Sequence, residues 1–257
     1  MTRRDDQPTD DRETVTTATR RARRRLVIVA AAVALVAPAL LAAARWPSWW
    51  TWIAPEQSPM TWLQSVTLVL AATGAVLIAH VVALGGTPRY AGALRLLAAG
   101  LAALAVDERF ALHERLRDGV LAPRDVTVPF LPWVGPGDFL LLAVGLVGLA
   151  VLPLVWRAIG PDVGARRALL VGVALAAVAV GMDSIDPSLW TVSAERVQQT
   201  TEEIIELAGA LALLCAVGLR LLGLLDTVAA GTSPSHRTRS AAATTPPRHV
   251  RTDEIAH

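Results

Sequence analysis

The sequence contains no lysine and no asparagine, and all 24 basic residues are arginine. A GC-rich genome produces that bias, and no chemistry follows from it. One cysteine is present, Cys215, inside an apolar run. It excludes an internal disulfide and a thiolate metal cage. What the chain has in excess is apolar surface: 53% of its 257 residues are hydrophobic and the mean hydropathy is +0.47. That is too apolar for an ordinary soluble domain and suits a multi-span membrane protein. The formal net charge of +2 hides a strong asymmetry along the chain. No nucleic-acid partner is expected.

Six apolar segments stand out, at about 26–45, 60–84, 91–114, 137–157, 167–186 and 200–225. Each is near the roughly 20 residues that cross a 30 Å hydrocarbon core. The third is interrupted by Arg95 and by acids, and reads as one helix continuing past Asp107 to Glu114. Gly and Pro recur inside several segments, which membrane helices tolerate. The expected fold class is therefore all-α, a polytopic transmembrane bundle of six helices with both termini cytoplasmic. The expected organisation is a disordered cytoplasmic tail over 1–25, a six-helix domain over 26–226 and a second disordered cytoplasmic tail over 227–257.

Charge and tryptophan set the orientation. The run "RRARRR" at 20–25 should remain in the cytoplasm, as should Arg89, Arg95, Arg157, Arg166, Arg167 and Arg220. Arg109, Arg115, Arg117 and Arg124 fall on the other side, among acids. Trp46, Trp49, Trp50, Trp52, Trp62, Trp133 and Trp190 fall near the outer boundary and only Trp156 at the inner one, the pattern of an interfacial belt. The first span also resembles a signal peptide, with Ala42 and Ala44 in an A-x-A pattern. An uncleaved span is the preferred reading, and cleavage leaves the remaining orientation unchanged. The expected location is a bacterial plasma membrane, crossed many times.

At 1.5 Å per residue from the arginines that mark the inner boundary, Asp107 lies roughly 12 Å below the outer surface, with His113 and Glu114 near it. Asp183 lies roughly 6 Å below, and Glu206 roughly 9 Å below with Glu202 and Glu203 a few Å deep. Three separate spans thus carry acids in the outer half of the membrane. Asp107 and Glu114 share a helix face, as do Glu202 and Glu206. A carboxylate facing lipid costs about 2.5–3.5 kcal/mol even on a lenient scale, so these groups face protein or water. Residues 105–117 and 183–206 hold nine acids against four arginines. Arginine alone cannot neutralise them; protons, water or cations must. Hard cations prefer carboxylates, and one imidazole widens the choice to Zn, Fe or Mn.

The candidate metal ligands are therefore Asp107, Glu108, His113, Glu114, Asp183, Glu202, Glu203 and Glu206, around a divalent ion whose identity the sequence does not give. A metal there would activate water against a lipid-linked or small extracytoplasmic substrate. Two alternatives remain open: a proton or cation relay in a transporter-like protein, and a structural membrane subunit in which a salt-bridged acidic cluster ties helices together. Local explanations account for part of the pattern. Glu114–Arg117 and Glu108–Arg115 have ion-pair spacing. Glu202 and Glu203 suit a helix start behind Thr200 or Thr201, and "DSID" precedes Pro187 as a helix end. Asp138 reads most simply as the N-cap of the fourth span. Gln64, Ser65 and Thr67 either line the acidic pocket or make ordinary interhelical hydrogen bonds. His80 reads as structural or interfacial. The loop at about 118–136 either covers the site or lies on the headgroups.

"VDERFALHE" in the third span, with "EEIIELAG" opening a late span, resembles a set of uncharacterised bacterial six-span membrane proteins. They carry an aspartate–glutamate and a histidine–glutamate pair in one span and a glutamate pair in another. The resemblance covers most of the six-span core and neither tail, and it implies no particular activity. Membrane hydrolases of the alkaline ceramidase type differ, since they use several histidines around zinc and this chain places one among the acids. Carboxylate-bridged di-metal bundles match in acid count, but their Glu-x-x-His spacing is absent: Glu108 and His113 are five apart.

Overall fold

The computed structural model describes residues 7–131, 133–185 and 190–231, with side chains from residue 17 to residue 228. Among the described residues there are seven α-helices and no strand. They are α1 (Gln7–Ala44), α2 (Pro59–Leu84), α3 (Pro88–Phe110), α4 (Leu112–Leu116), α5 (Phe139–Ile159), α6 (Val163–Asp183) and α7 (Val192–Gly231). All but α4 are long and apolar enough to cross a membrane. The all-helical, six-span architecture expected from the apolar runs is the one observed.

Several boundaries differ from the expectation. α1 reaches back to Gln7, so residues 7–25 are helical where a disordered tail was expected. That stretch is tied down: Thr19 Oγ1 donates to Asp226 at 3.0 Å, and Arg23 grips Asp162 with two bonds of 2.8 Å. α7 begins eight residues before position 200, because Thr191 caps it; its Oγ1 accepts from the Ala194 N–H. α7 also takes in residues 227–231 of the expected C-terminal tail; positions 232–257 lie outside the described residues. The third span ends at Phe110, and Ala111 turns left-handed at φ 48°. The continuous helix expected through Glu114 is not formed.

The longest helix, α7, packs against α1, α2 and α6; α2 pairs with α3, and α5 touches α3 and α6. Apolar helices in lipid gain little from hydrophobicity between them and rely on close packing at small residues. A Cβ at Gly172 of α6 would lie 2.8 Å from Leu213 Cγ of α7, and one at Gly74 of α2 would lie 2.7 Å from Val217 Cγ1. Below the acids, the bundle is filled by Ala75, Ile78, Val82, Leu94, Ala98 and Val217, with Leu169, Ala216 and Leu219 beside them. Large apolar side chains on the outside, such as Leu35, Leu146 and Val147, stay exposed, as lipid-facing residues do.

Each end of the bundle is locked differently. At the arginine-rich end, Asp162 caps α6 by accepting from the Ala165 N–H while chelated by Arg23, whose Nη1 also donates to the Leu219 carbonyl at 2.9 Å. The Arg23 hydrogen bond holds the Asp162 carboxyl below its ordinary range, against the opposing effect of burial. At the other end, Ser58 caps α2 through bonds from the Met60 and Thr61 N–H groups, with Pro59 at the first helical position. The loop before it is pinned by buried Ile53 and Ala54 and by Arg196 stacked on Trp50 at 4.2 Å.

Candidate functional site

The break at Ala111 builds the first part of the site. With the α3 helix stopped, the chain folds back. The His113 N–H donates to Asp107 Oδ1 at 2.9 Å, and His113 Nδ1 lies 2.7 Å from Asp107 Oδ2. One carboxylate thus caps the short α4 and pairs with its imidazole. Burial depresses the His113 pKa, but the Asp107 hydrogen bond and the charges of Asp107, Asp183 and Glu114 outweigh it and push it up to about 9. The shared face expected for Asp107 and Glu114 is lost at the break. Glu114 turns to Arg117, at 3.3 Å, and Arg117 also reaches Asp118 at 2.8 Å and Asp138 at 3.3 Å. These three acids raise the Arg117 pKa against the cost of burial. Asp138 sits at the start of α5 but makes no capping bond with its side chain, because that carboxylate is turned to Arg117.

The second part lies deeper, between α2, α3 and α7. Gln64 of α2 is 1% exposed. Its Nε2 donates to the Glu203 carbonyl at 2.9 Å, to Glu203 Oε2 at 3.0 Å and to Glu206 Oε2 at 3.4 Å. One amide therefore holds two carboxylates of α7 together, while its own Oε1 is buried with no donor. Glu108 of α3 interacts electrostatically with both Glu203 and Glu206. Glu203 is buried and Glu206 partly so. Among the described residues no arginine forms an ion pair with Glu108, Glu202, Glu203 or Glu206. Ser65 and Thr67 bond to carbonyls of their own helix, so Gln64 is the member of that trio that enters the site.

The third part is an outer cavity of about 340 Å³, lined by Glu114, Arg117, Asp183, Gln198 and Glu202 among others. Gln198 Nε2 donates to Glu202 Oε2 at 2.8 Å and to the Met182 carbonyl at 3.2 Å, fastening α7 to the end of α6 beside Asp183. Asp186, the other acid of "DSID", lies outside the described residues. His80 is on the exposed flank of α2.

Two members were missed in the sequence. Glu56, in the loop before α2, interacts with Glu114, His113, Asp107 and Asp183, and its charge is also felt by Glu108, Glu203 and Glu206. Burial first, then the Glu114 charge, push its pKa up to about 7. No helical period flags Glu56, but it is the only acid between positions 26 and 106, and that isolation was the available signal. Gln198 lies ahead of the expected start of its span and carried no signal of its own.

The eight candidate residues are thus brought to one end of the bundle in two layers: Glu108, Glu203 and Glu206 deep beside Gln64, and Glu114, Asp183 and Glu202 along the outer cavity, with the Asp107–His113 pair and Glu56 close by. Among the described residues, no three His, Cys, Asp or Glu side chains already converge as a metal cage. The arrangement is an acidic cavity at the mouth and, separately, a cluster of carboxylates around Gln64.

Six apolar spans around such a cluster define a multi-pass membrane protein. Within that class, the chain belongs to the family of a domain of unknown function, DUF8692, whose model matches residues 14–221. The match takes in five spans and most of the sixth, in keeping with the resemblance to an uncharacterised membrane family seen in the motifs. No curated protein and no solved structure matches the chain.

Proposed function

We propose that this protein binds a divalent metal ion in the outer half of the membrane, between Glu108 of α3 and Glu203 and Glu206 of α7. The observation that carries this reading is the environment of Gln64. Its amide joins two carboxylates that no arginine balances, and its buried oxygen is left without a donor. A hard cation supplies the missing positive charge, and it accepts carboxylate and amide oxygens as ligands. The Asp107–His113 pair, Glu114, Asp183 and Glu202 complete the set at the mouth, where a carboxylate–imidazole pair suits proton transfer to or from a metal-activated water. The cavity of about 340 Å³ is of a size to admit a small extracytoplasmic molecule or the headgroup of a lipid-linked one. The arginine bias supports a cytoplasmic location for the opposite end and both termini, and the resemblance to bacterial membrane proteins supports a bacterial plasma membrane.

A transmembrane relay needs polar groups across the other half of the bundle. That half is occupied by Ala75, Ile78, Val82, Leu94 and Val217, which favours a closed site over a conduit. A purely structural cluster would join its acids to arginines, as Arg117 does at the rim, and the deep acids have no such partner among the described residues.

The test is bound metal per chain, measured by mass spectrometry on full-length protein purified without chelators. Wild type should carry a stoichiometric divalent ion, and Glu203→Gln and Glu206→Gln should each lose it while remaining folded. Wild-type protein without stoichiometric metal would overturn the proposal.

A further inference from the structure

Far from the acids, roughly 30 Å along α3, a second cavity of about 270 Å³ opens between the first turns of α3 and the last turns of α5. It is lined by Arg89, Tyr90, Ala93, Leu154 and Arg157, with no acid among them. Neither arginine forms an ion pair among the described residues. What sets this pair apart is that both guanidiniums line one cavity that holds no carboxylate, whereas Arg23 at the same end is neutralised by Asp162. The N-terminus of α3 adds positive dipole there, since Thr87 makes no side-chain capping bond.

We infer that this cavity binds the phosphate headgroup of an anionic glycerophospholipid, with Arg89 and Arg157 as its clamp. Guanidinium forks match phosphate oxygens in number and geometry. Tyr90, the only tyrosine of the chain, is half exposed beside them, an amphipathic ring at headgroup level. The walls point to a lipid over a soluble anion. Leu154 and Val147, seven residues apart on one face of α5, are both exposed. On α3, Gly100 lies seven residues beyond Ala93 on the same face, and nothing occupies the space a Cβ there would take. An exposed apolar face therefore runs from the charged cavity along α3 and α5, suited to an acyl chain.

The test is native mass spectrometry of the full chain after delipidation and exposure to equal phosphatidylglycerol and phosphatidylcholine. Wild type should retain phosphatidylglycerol over phosphatidylcholine by roughly twenty-five-fold, the product of about fivefold for each arginine near anionic lipid. Arg89→Gln with Arg157→Gln should abolish the preference. Arg20→Gln with Arg21→Gln, which removes as much charge from an exposed part of α1, should keep it. Equal retention of both lipids by wild type, or an unchanged preference in the Arg89/Arg157 variant, would overturn the inference. So would displacement of the lipid by millimolar inorganic phosphate, which would make the ligand a soluble anion. Unchanged melting temperature in the variant checks that it remains folded.

Discussion

His113 is folded back onto Asp107 across a break in the helix, with its ring nitrogen 2.7 Å from one carboxylate oxygen and its backbone N–H 2.9 Å from the other. The two halves of that contact separate by mutation. Asp107→Asn keeps an oxygen for the N–H and loses the charge. The His113 pKa should then fall from about 9 toward the ordinary value of 6.5, as read by NMR titration with His113→Gln for assignment. In wild type the raised imidazole stabilises the fold fully below pH 6.5, and that contribution is lost as pH rises through about 9. The melting temperature should therefore fall between those values in wild type and fall less in Asp107→Asn. Asp107→Ala loses both contacts and should cost about 1–3 kcal/mol at neutral pH.

That contact also marks where the sequence stopped being informative. Hydropathy located all six spans, because roughly 20 apolar residues leave few alternatives in lipid. Charge counting drew attention to Glu108, Glu203 and Glu206, because carboxylates at that depth must face the protein interior. The break at Ala111 had no such signal. "RFALHER" contains no Gly, Pro or Asn, and the turn depends on a carboxylate four residues earlier taking the place of a cap. Glu56 was hidden differently. It reaches the site through a loop held by Ile53, Ala54 and the stacking of Arg196 on Trp50, and tertiary contacts of that kind leave no period to read. The start of α1 was misjudged because polar, charged composition reads as disorder when the partners, Asp162 and Asp226, are more than 100 residues away.

The crossing of α6 and α7 depends on the absence of a side chain. Gly172→Ala would place a methyl 2.8 Å from Leu213 Cγ and 3.1 Å from the Leu213 backbone nitrogen, and backbone cannot move aside cheaply. A destabilisation of about 1–3 kcal/mol is expected. Gly148→Ala, where nothing lies within 4 Å, is the control and should leave stability unchanged or slightly raised. Thermal unfolding in one detergent compares the two; equal melting temperatures would show that the helices are not in close contact at Gly172.

Gln64 separates a site held by its surroundings from one that merely collects charge. Gln64→Leu preserves bulk in α2 while releasing Glu203 and Glu206 and removing the orphaned oxygen. Loss of a group that orients metal ligands commonly weakens binding by about 10–100-fold, and that range is expected here by titration with the metal found in wild type. Undiminished affinity would place the ion away from Gln64 and shift attention to the outer cavity.

Glu56 gives the clearest dependence on pH. Its carboxyl is pushed from 4.5 to about 7 by burial and by the neighbouring charge of Glu114, so the folded protein holds this proton more tightly than the unfolded chain does. Between pH 4.5 and 7 the unfolded state therefore binds fewer protons, and stability contributed by this group falls as pH rises through that window. Glu56→Gln mimics the protonated form at every pH. It should leave the melting temperature of metal-free protein unchanged near pH 4.5 and raise it at pH 8. A bound cation near the acids reverses the second effect, because it favours the ionised carboxylate that the substitution removes. Melting curves of both proteins at pH 4.5 and 8, with and without added divalent metal, test this. A substitution that is neutral under all four conditions would remove Glu56 from the acidic site.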